Sequence, residues 1–177
     1  MGQYFKAVVL STEDASAKGI EAAFTAWDYN NGAKLLEHSW KGNDFVRVVE
    51  RAFTPFGRFY KHRLVWAGDY AEPEKEEGKT LYVLAEKFRL KKAQGNVPIG
   101  YRYLHNHSKK EYVDINVYFM YENALLHPLP LLTFQSDLDG VSLDAGDVFK
   151  FKLGRWARDI ISVESSIIEG YKNLFEE

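Results

Sequence analysis

Residues 100–119 read GYRYLHNHSKKEYVDINVYF, and this stretch constrains the chain more than any other. Tyr101 to His105 and Glu111 to Phe119 are rich in aromatic and β-branched residues, which suit a pleated, half-buried surface. Between them Asn106-His107-Ser108-Lys109-Lys110 is a polar turn whose Asn and Ser can bond the local backbone. The stretch therefore predicts a β-hairpin. Side chains alternate between faces along a strand, so Val113, Ile115, Val117 and Phe119 share one face, assigned to the core. Tyr112, Asp114, Asn116 and Tyr118 share the other. On the first strand Tyr101, Tyr103 and His105 oppose Arg102 and Leu104. The polar face reads either as a solvated sheet surface with aromatic cross-strand pairs or as a ligand-facing one.

A hairpin needs further strands, and the rest of the chain supplies them. Gln3 to Leu10 is apolar enough for a strand. Ile20 to Asp28 reads as a second strand because Asn30-Asn31-Gly32 follows it with a strong turn signal. Ala33 to Trp40 fits a short helix or a strand. Asn43 to Phe53 is the clearest helix: Asn43 caps it, Asp44 suits its positive end, and Phe45, Val48, Val49 and Ala52 recur at helical spacing. Thr54-Pro55-Phe56-Gly57 ends it, and Arg58 to Ala67 returns to strand. Glu72 to Lys79 reads as a solvated acidic loop, and Thr80 to Lys91 fits helix and strand in part. Alternate prolines in His127-Pro128-Leu129-Pro130-Leu131 predict an extended, polyproline-like segment. Leu131 to Phe134 reads as a short strand, Asp137 to Asp147 as an acidic turn-rich loop, and Val148 to Leu153 and Ile160 to Val163 as strands. The expectation is a single α+β domain over residues 1–177, built on a mostly antiparallel β-sheet with few helices.

Composition narrows the function classes. Net charge is −2, so no electrostatic footprint for nucleic acid is present and no nucleic-acid partner is expected. Cysteine is absent, which removes disulfides and thiolate metal sites and fits a reducing cytoplasm. No apolar run approaches a membrane span, and MGQYFKAVVLS is too short and polar for a signal peptide. Lys6 stands where a myristoylation signal wants Ser or Thr.

The blocks MGQYFK, NNGAKLLEHSW followed by GNDFV, RLVWAGDYA, RYLHNHSKKEYVD, HPLPLL and GRWARDIISVES together resemble a group of uncharacterised bacterial and bacteriophage proteins. The resemblance implies a cytoplasmic protein of bacterial or phage origin. It carries no assigned activity, and so no functional residues.

Chemical motifs are sparse. There is no phosphate loop, no dinucleotide fingerprint and no nucleophile elbow. His105-x-His107 places two imidazoles on one strand face, but a zinc site needs a third ligand from Glu111, Asp114 or His38, and no metal or other cofactor is expected. In Asp137 to Asp147, Gly140 sits fourth where an EF-hand loop requires Gly sixth. Glu37-His38-Ser39 holds three hydrolytic residue types, though adjacency in sequence is not catalytic geometry. Arg102, Lys109, Lys110, Arg155 and Arg158 are available to an anion, or are simply solvated. The best concentration of large rings, short polar groups and glycines lies at strand ends: Tyr29, Asn31, Glu37, His38, Trp66, Asp69 and Tyr70. These seven are the expected ligand-binding residues. The leading expectation is a non-catalytic binding protein for a small polar molecule or a host protein. The alternatives are a small hydrolase or transferase using His and carboxylate groups, and a structural or assembly component.

Overall fold

A computed structural model describes residues 3–91, 97–117, 120–121, 124–137 and 152–176. Strand β1 (Phe5–Leu10) is buried at every position and lies at the heart of the sheet. It pairs antiparallel with β2 (Ile20–Thr25) on one side and β3 (His62–Gly68) on the other. The far edge of β3 is shared: its first half pairs antiparallel with β9 (Asp159–Glu164), and Trp66 and Ala67 pair parallel with β8 (Phe134–Gln135). Beyond β9 come β4 (Tyr103–Asn106), β5 (Glu111–Asp114) and finally β10 (Lys172–Asn173), which runs parallel to β5. The fold is α+β, with a mostly antiparallel eight-stranded sheet. A separate two-stranded pair joins β6 (Met120–Tyr121) to β7 (Ala124–Leu125).

The alternation of side chains divides the sheet between two environments. Phe5, Ala7, Val9, Phe24, Leu64, Trp66, Leu104, Val113, Ile161 and Val163 belong to the main core. Three helices add to that core: α1 (Leu35–His38), α2 (Asp44–Ala52) and α4 (Pro128–Leu132). On the other face Val8, Leu10, Val65 and Ala67 pack with Leu81 of α3 (Leu81–Leu84) and with Ala85. The predicted helix over residues 43–53 is α2, and Asn43 caps it as expected, its Oδ1 accepting from the amides of Phe45 and Val46. No helix among the described residues is long and apolar enough to cross a membrane.

Three local expectations need correction. The hairpin forms in the predicted register, Leu104 opposite Val113 and His105 opposite Tyr112, but its second strand ends at Asp114. Asp114 Oδ1 accepts from the amide of Asn116 and its carbonyl accepts from that of Val117, turning the chain there. Ile115 is consequently only partly buried. The polar hairpin face is not simply solvated either: His105 is fully buried, and its Nε2 accepts from the amide of Ile168 in the returning tail. Finally, Pro128 to Leu132 is a helix rather than an extended segment. Both prolines fall in its first turn, where no intrahelical N–H is required. Residues 138–151, which contain most of the predicted acidic loop and the start of the Val148 strand, lie outside the described residues, as do Tyr118 and Phe119.

Candidate functional site

Four of the seven expected site residues come together, around Phe45. Tyr29 packs on Phe45 with ring centroids 6.0 Å apart, and Asn31 Oδ1 accepts from Asn43 Nδ2 at 2.7 Å. His38 and Trp66 are both fully buried, and Trp66 Nε1–H donates to His38 Nε2 at 2.9 Å. His38 Nδ1–H donates to Gly32 O at 2.8 Å, so the two partners fix the neutral tautomer. Burial, opposed by that carbonyl, pushes the His38 pKa down to about 4. Glu37 lies exposed next to this group, against Gly32, where any Cβ would overlap its carboxylate. Asp69 and Tyr70 are drawn elsewhere. Asp69 extends the β1–β3 ladder by exchanging bonds with Tyr4: its amide donates to Tyr4 O at 3.0 Å, and its Oδ1 accepts from Tyr4 N at 2.9 Å. Tyr70 is half exposed. The His38–Trp66 pair thus satisfies two buried polar groups inside the core, and Asp69 satisfies a strand end. None of the seven is among the described residues lining the cavities of about 520, 610 and 270 Å³.

His107 belongs to a polar network on the opposite face of the sheet, with the His105 ring stacked beside it at 6.3 Å. Tyr171 O–H donates to His107 Nδ1 at 2.7 Å, and His107 Nε2–H donates to Ser162 Oγ at 2.7 Å. Ser162 in turn donates to Glu164, which also accepts from Tyr60 O–H at 2.9 Å. This order is the reverse of a nucleophilic triad, in which serine donates to histidine. Ser162 is moreover fully buried. Burial holds His107 at about 4 and raises Tyr60 to about 12, the Glu164 carboxylate adding to the latter. The carboxylates considered for zinc are otherwise engaged, Glu111 with Arg155 at 3.1 Å and Asp114 with Arg102 at 3.3 Å.

One cavity, lined by a carboxylate, an imidazole and two cations, lies on the helical side. It has a volume of about 270 Å³, and four parts of the chain converge on it. Lys41 and Gly42 come from the turn before α2, and Arg47 and Glu50 from α2 itself. Val97, Pro98 and Tyr101 precede β4, and Ile115 and Asn116 follow β5. His127, at the N-cap of α4, completes the wall. Arg47 and Glu50 are three residues apart and so share a helix face. Gly42 has φ of 86°, a conformation that favours glycine and lets the chain turn into the Asn43 cap.

The floor of this cavity is a buried acid–base pair. His127 Nε2 lies 2.7 Å from Glu50 Oε1, with the side chains only 3% and 4% exposed. His127 is held at two further points: its amide donates to Ser39 O at 2.8 Å, and its Nδ1 accepts from the amide of Leu129 at 3.0 Å. Because Nδ1 is an acceptor, the ring proton sits on Nε2 and the imidazole is neutral. His127 Nε2 thus faces the Glu50 carboxylate at contact distance, and both side chains border the cavity. The cavity therefore has a buried carboxylate–imidazole pair in its wall, with two cations beside it. Burial lowers the pKa of one of these, Lys41, whose Nζ donates to Val117 O at 2.6 Å.

The sequence reading missed this pair. Glu50 stands beside the apolar stripe of α2 with nothing in the pattern to mark it as buried. His127 precedes a Pro-x-Pro run whose pattern predicts an extended segment. The usable signal was the pair of prolines: taken as the first turn of a helix, they place His127 at the cap. No protein family, no curated protein and no solved structure matches the chain.

Proposed function

We propose that the protein is a non-catalytic binding protein whose Glu50–His127 cavity holds a small polar molecule. One observation carries the reading: a buried carboxylate and a buried imidazole, 2.7 Å apart, line a cavity that Lys41 and Arg47 also wall. A few convergent polar groups set against an apolar wall are what small-molecule sites use. The charge arrangement favours a molecule with a carboxylate for Lys41 and Arg47, and a donor such as an ammonium or hydroxyl for Glu50. Small amino acids and hydroxy acids fit that description. Val97, Pro98 and Ile115 give the ligand an apolar wall. A bacterial or phage setting, in the cytoplasm, follows from the resemblance of the sequence blocks.

The same pair supports a second reading. A carboxylate held against a neutral imidazole is also the apparatus of general acid–base catalysis, as in a small hydrolase or transferase. Calorimetric titration with the standard amino acids and their hydroxy-acid counterparts tests the first reading, with the matching amines and plain carboxylates as controls. Saturable binding of a molecule carrying both groups, unchanged on recovery and weakened at least tenfold in Glu50→Gln, supports the binder. Depletion of the molecule supports the enzyme. No binding across the whole set, or equal binding by Glu50→Gln, refutes both.

A further inference from the structure

We infer a second binding site, separate from the Glu50–His127 cavity, for a small amphipathic anion such as a medium-chain carboxylate. A cavity of about 520 Å³ opens where α2 meets the turn that follows it and the 90–91 segment beside β2. Its apolar lining is Phe24, Val48, Ala52, Phe56, Phe59 and Leu90. Its remaining side chains are Arg51, Arg58 and Lys91, and no acidic residue is among the described residues that line it. Clean separation of chemistry of this kind matches an occupant with an apolar body and one anionic head. The size falls within the range of about 300–1,000 Å³ usual for small-molecule sites.

Each part of the wall has a structural reason. Phe24 and Phe59 are almost fully buried and meet edge-to-face with centroids 6.3 Å apart, which gives the floor a fixed aromatic surface. Leu90 is held by its amide donating to Ala23 O at 3.0 Å, so the segment lies along the outer strand β2. The opposite wall depends on Gly57, whose lack of a side chain lets the turn pass against the carbonyls of Arg51 and Ala52 at the end of α2. This close turn presents Phe56 at the rim, 64% exposed, a cost in apolar surface that an apolar ligand would recover. The Arg58 guanidinium lies over the Phe59 ring at 5.0 Å, which orients its charge at the mouth. Phe56 also meets Tyr101 with centroids 5.7 Å apart, and Tyr101 lines the first cavity, so the two cavities flank one aromatic contact and remain distinct.

Calorimetry with octanoate, octan-1-ol and octylammonium, each below its aggregation concentration, tests the inference. The expected result is saturable binding of octanoate, at least tenfold weaker binding of the alcohol, and none of the amine. The double variant Arg58→Glu/Lys91→Glu alters exposed positions and should weaken octanoate at least tenfold while keeping the wild-type melting temperature. Phe56→Ala should weaken the acid and the alcohol alike. Glu50→Gln should leave octanoate binding unchanged, which separates this site from the first. Absence of octanoate binding, alcohol binding as tight as acid binding, or an unaffected charge-reversal variant would each overturn the inference.

Discussion

Acid should expose His38 as a stability switch. In the folded protein its Nδ1–H donates to Gly32 O and its Nε2 accepts from the Trp66 indole. A second proton, on Nε2, would face the indole N–H inside a fully buried core and find no acceptor. The folded value of about 4 lies below the ordinary 6.5. Between those values the unfolded chain binds the proton and the folded chain does not, so stability present above about pH 6.5 is lost as pH falls toward 4. A gap of about 2.5 pH units at about 1.4 kcal/mol each amounts to about 3 kcal/mol, of which about 2.5 is gone by pH 4.5. Urea unfolding of the wild type and His38→Gln at about pH 7, 6, 5 and 4.5 isolates this contribution, because the other carboxylates and histidines titrate in both proteins. The wild type should lose about 2–3 kcal/mol more than the variant across that range. Parallel curves would refute both the buried neutral tautomer and the Trp66 hydrogen bond.

Three further outcomes follow from the fold and its polar network. Asn43→Ala removes the cap of α2 and the bond to Asn31, and should cost about 1–2 kcal/mol by chemical denaturation. Leu104→Ala, at a fully buried position, should cost about 2–5 kcal/mol, and Ile115→Ala clearly less, since β5 ends before it; equal losses would restore the longer strand. Tyr60 should ionise late in an ultraviolet titration, at about 12, and the phase at that pH should vanish in Tyr60→Phe.

Much of the architecture was legible because local chemistry and tertiary context agree. Asn43 followed by an apolar helical stripe has one sensible reading, as does the alternating run Leu104 opposite Val113. Legibility failed where a tertiary partner decides. Ile115 continues the strand pattern, yet the Asp114 side chain captures the Asn116 amide and ends the strand. Pro128 and Pro130 are compatible with an extended segment or a helical first turn, and only the His127 cap and the burial of Leu129, Leu131 and Leu132 choose between them. Trp66, Gly68 and Asp69 were recognisable as a strand end, but their chemistry is spent internally. Gly68 makes room for the Ser136 side chain, and Asp69 pairs with Tyr4. Glu50 and His127 are 77 positions apart, and no periodicity links a helix residue to a distant cap.

The most direct test of the binding proposal is an amide chemical-shift map of the protein on adding the pooled amino acids and hydroxy acids, repeated with Glu50→Gln. Saturable shifts confined to the segments around Lys41, Arg47, Glu50, Tyr101, Asn116 and His127 are expected, and their loss in the variant. Shifts centred on Asp69 and Tyr70, shifts that survive the substitution, or no shifts across the pool would contradict it.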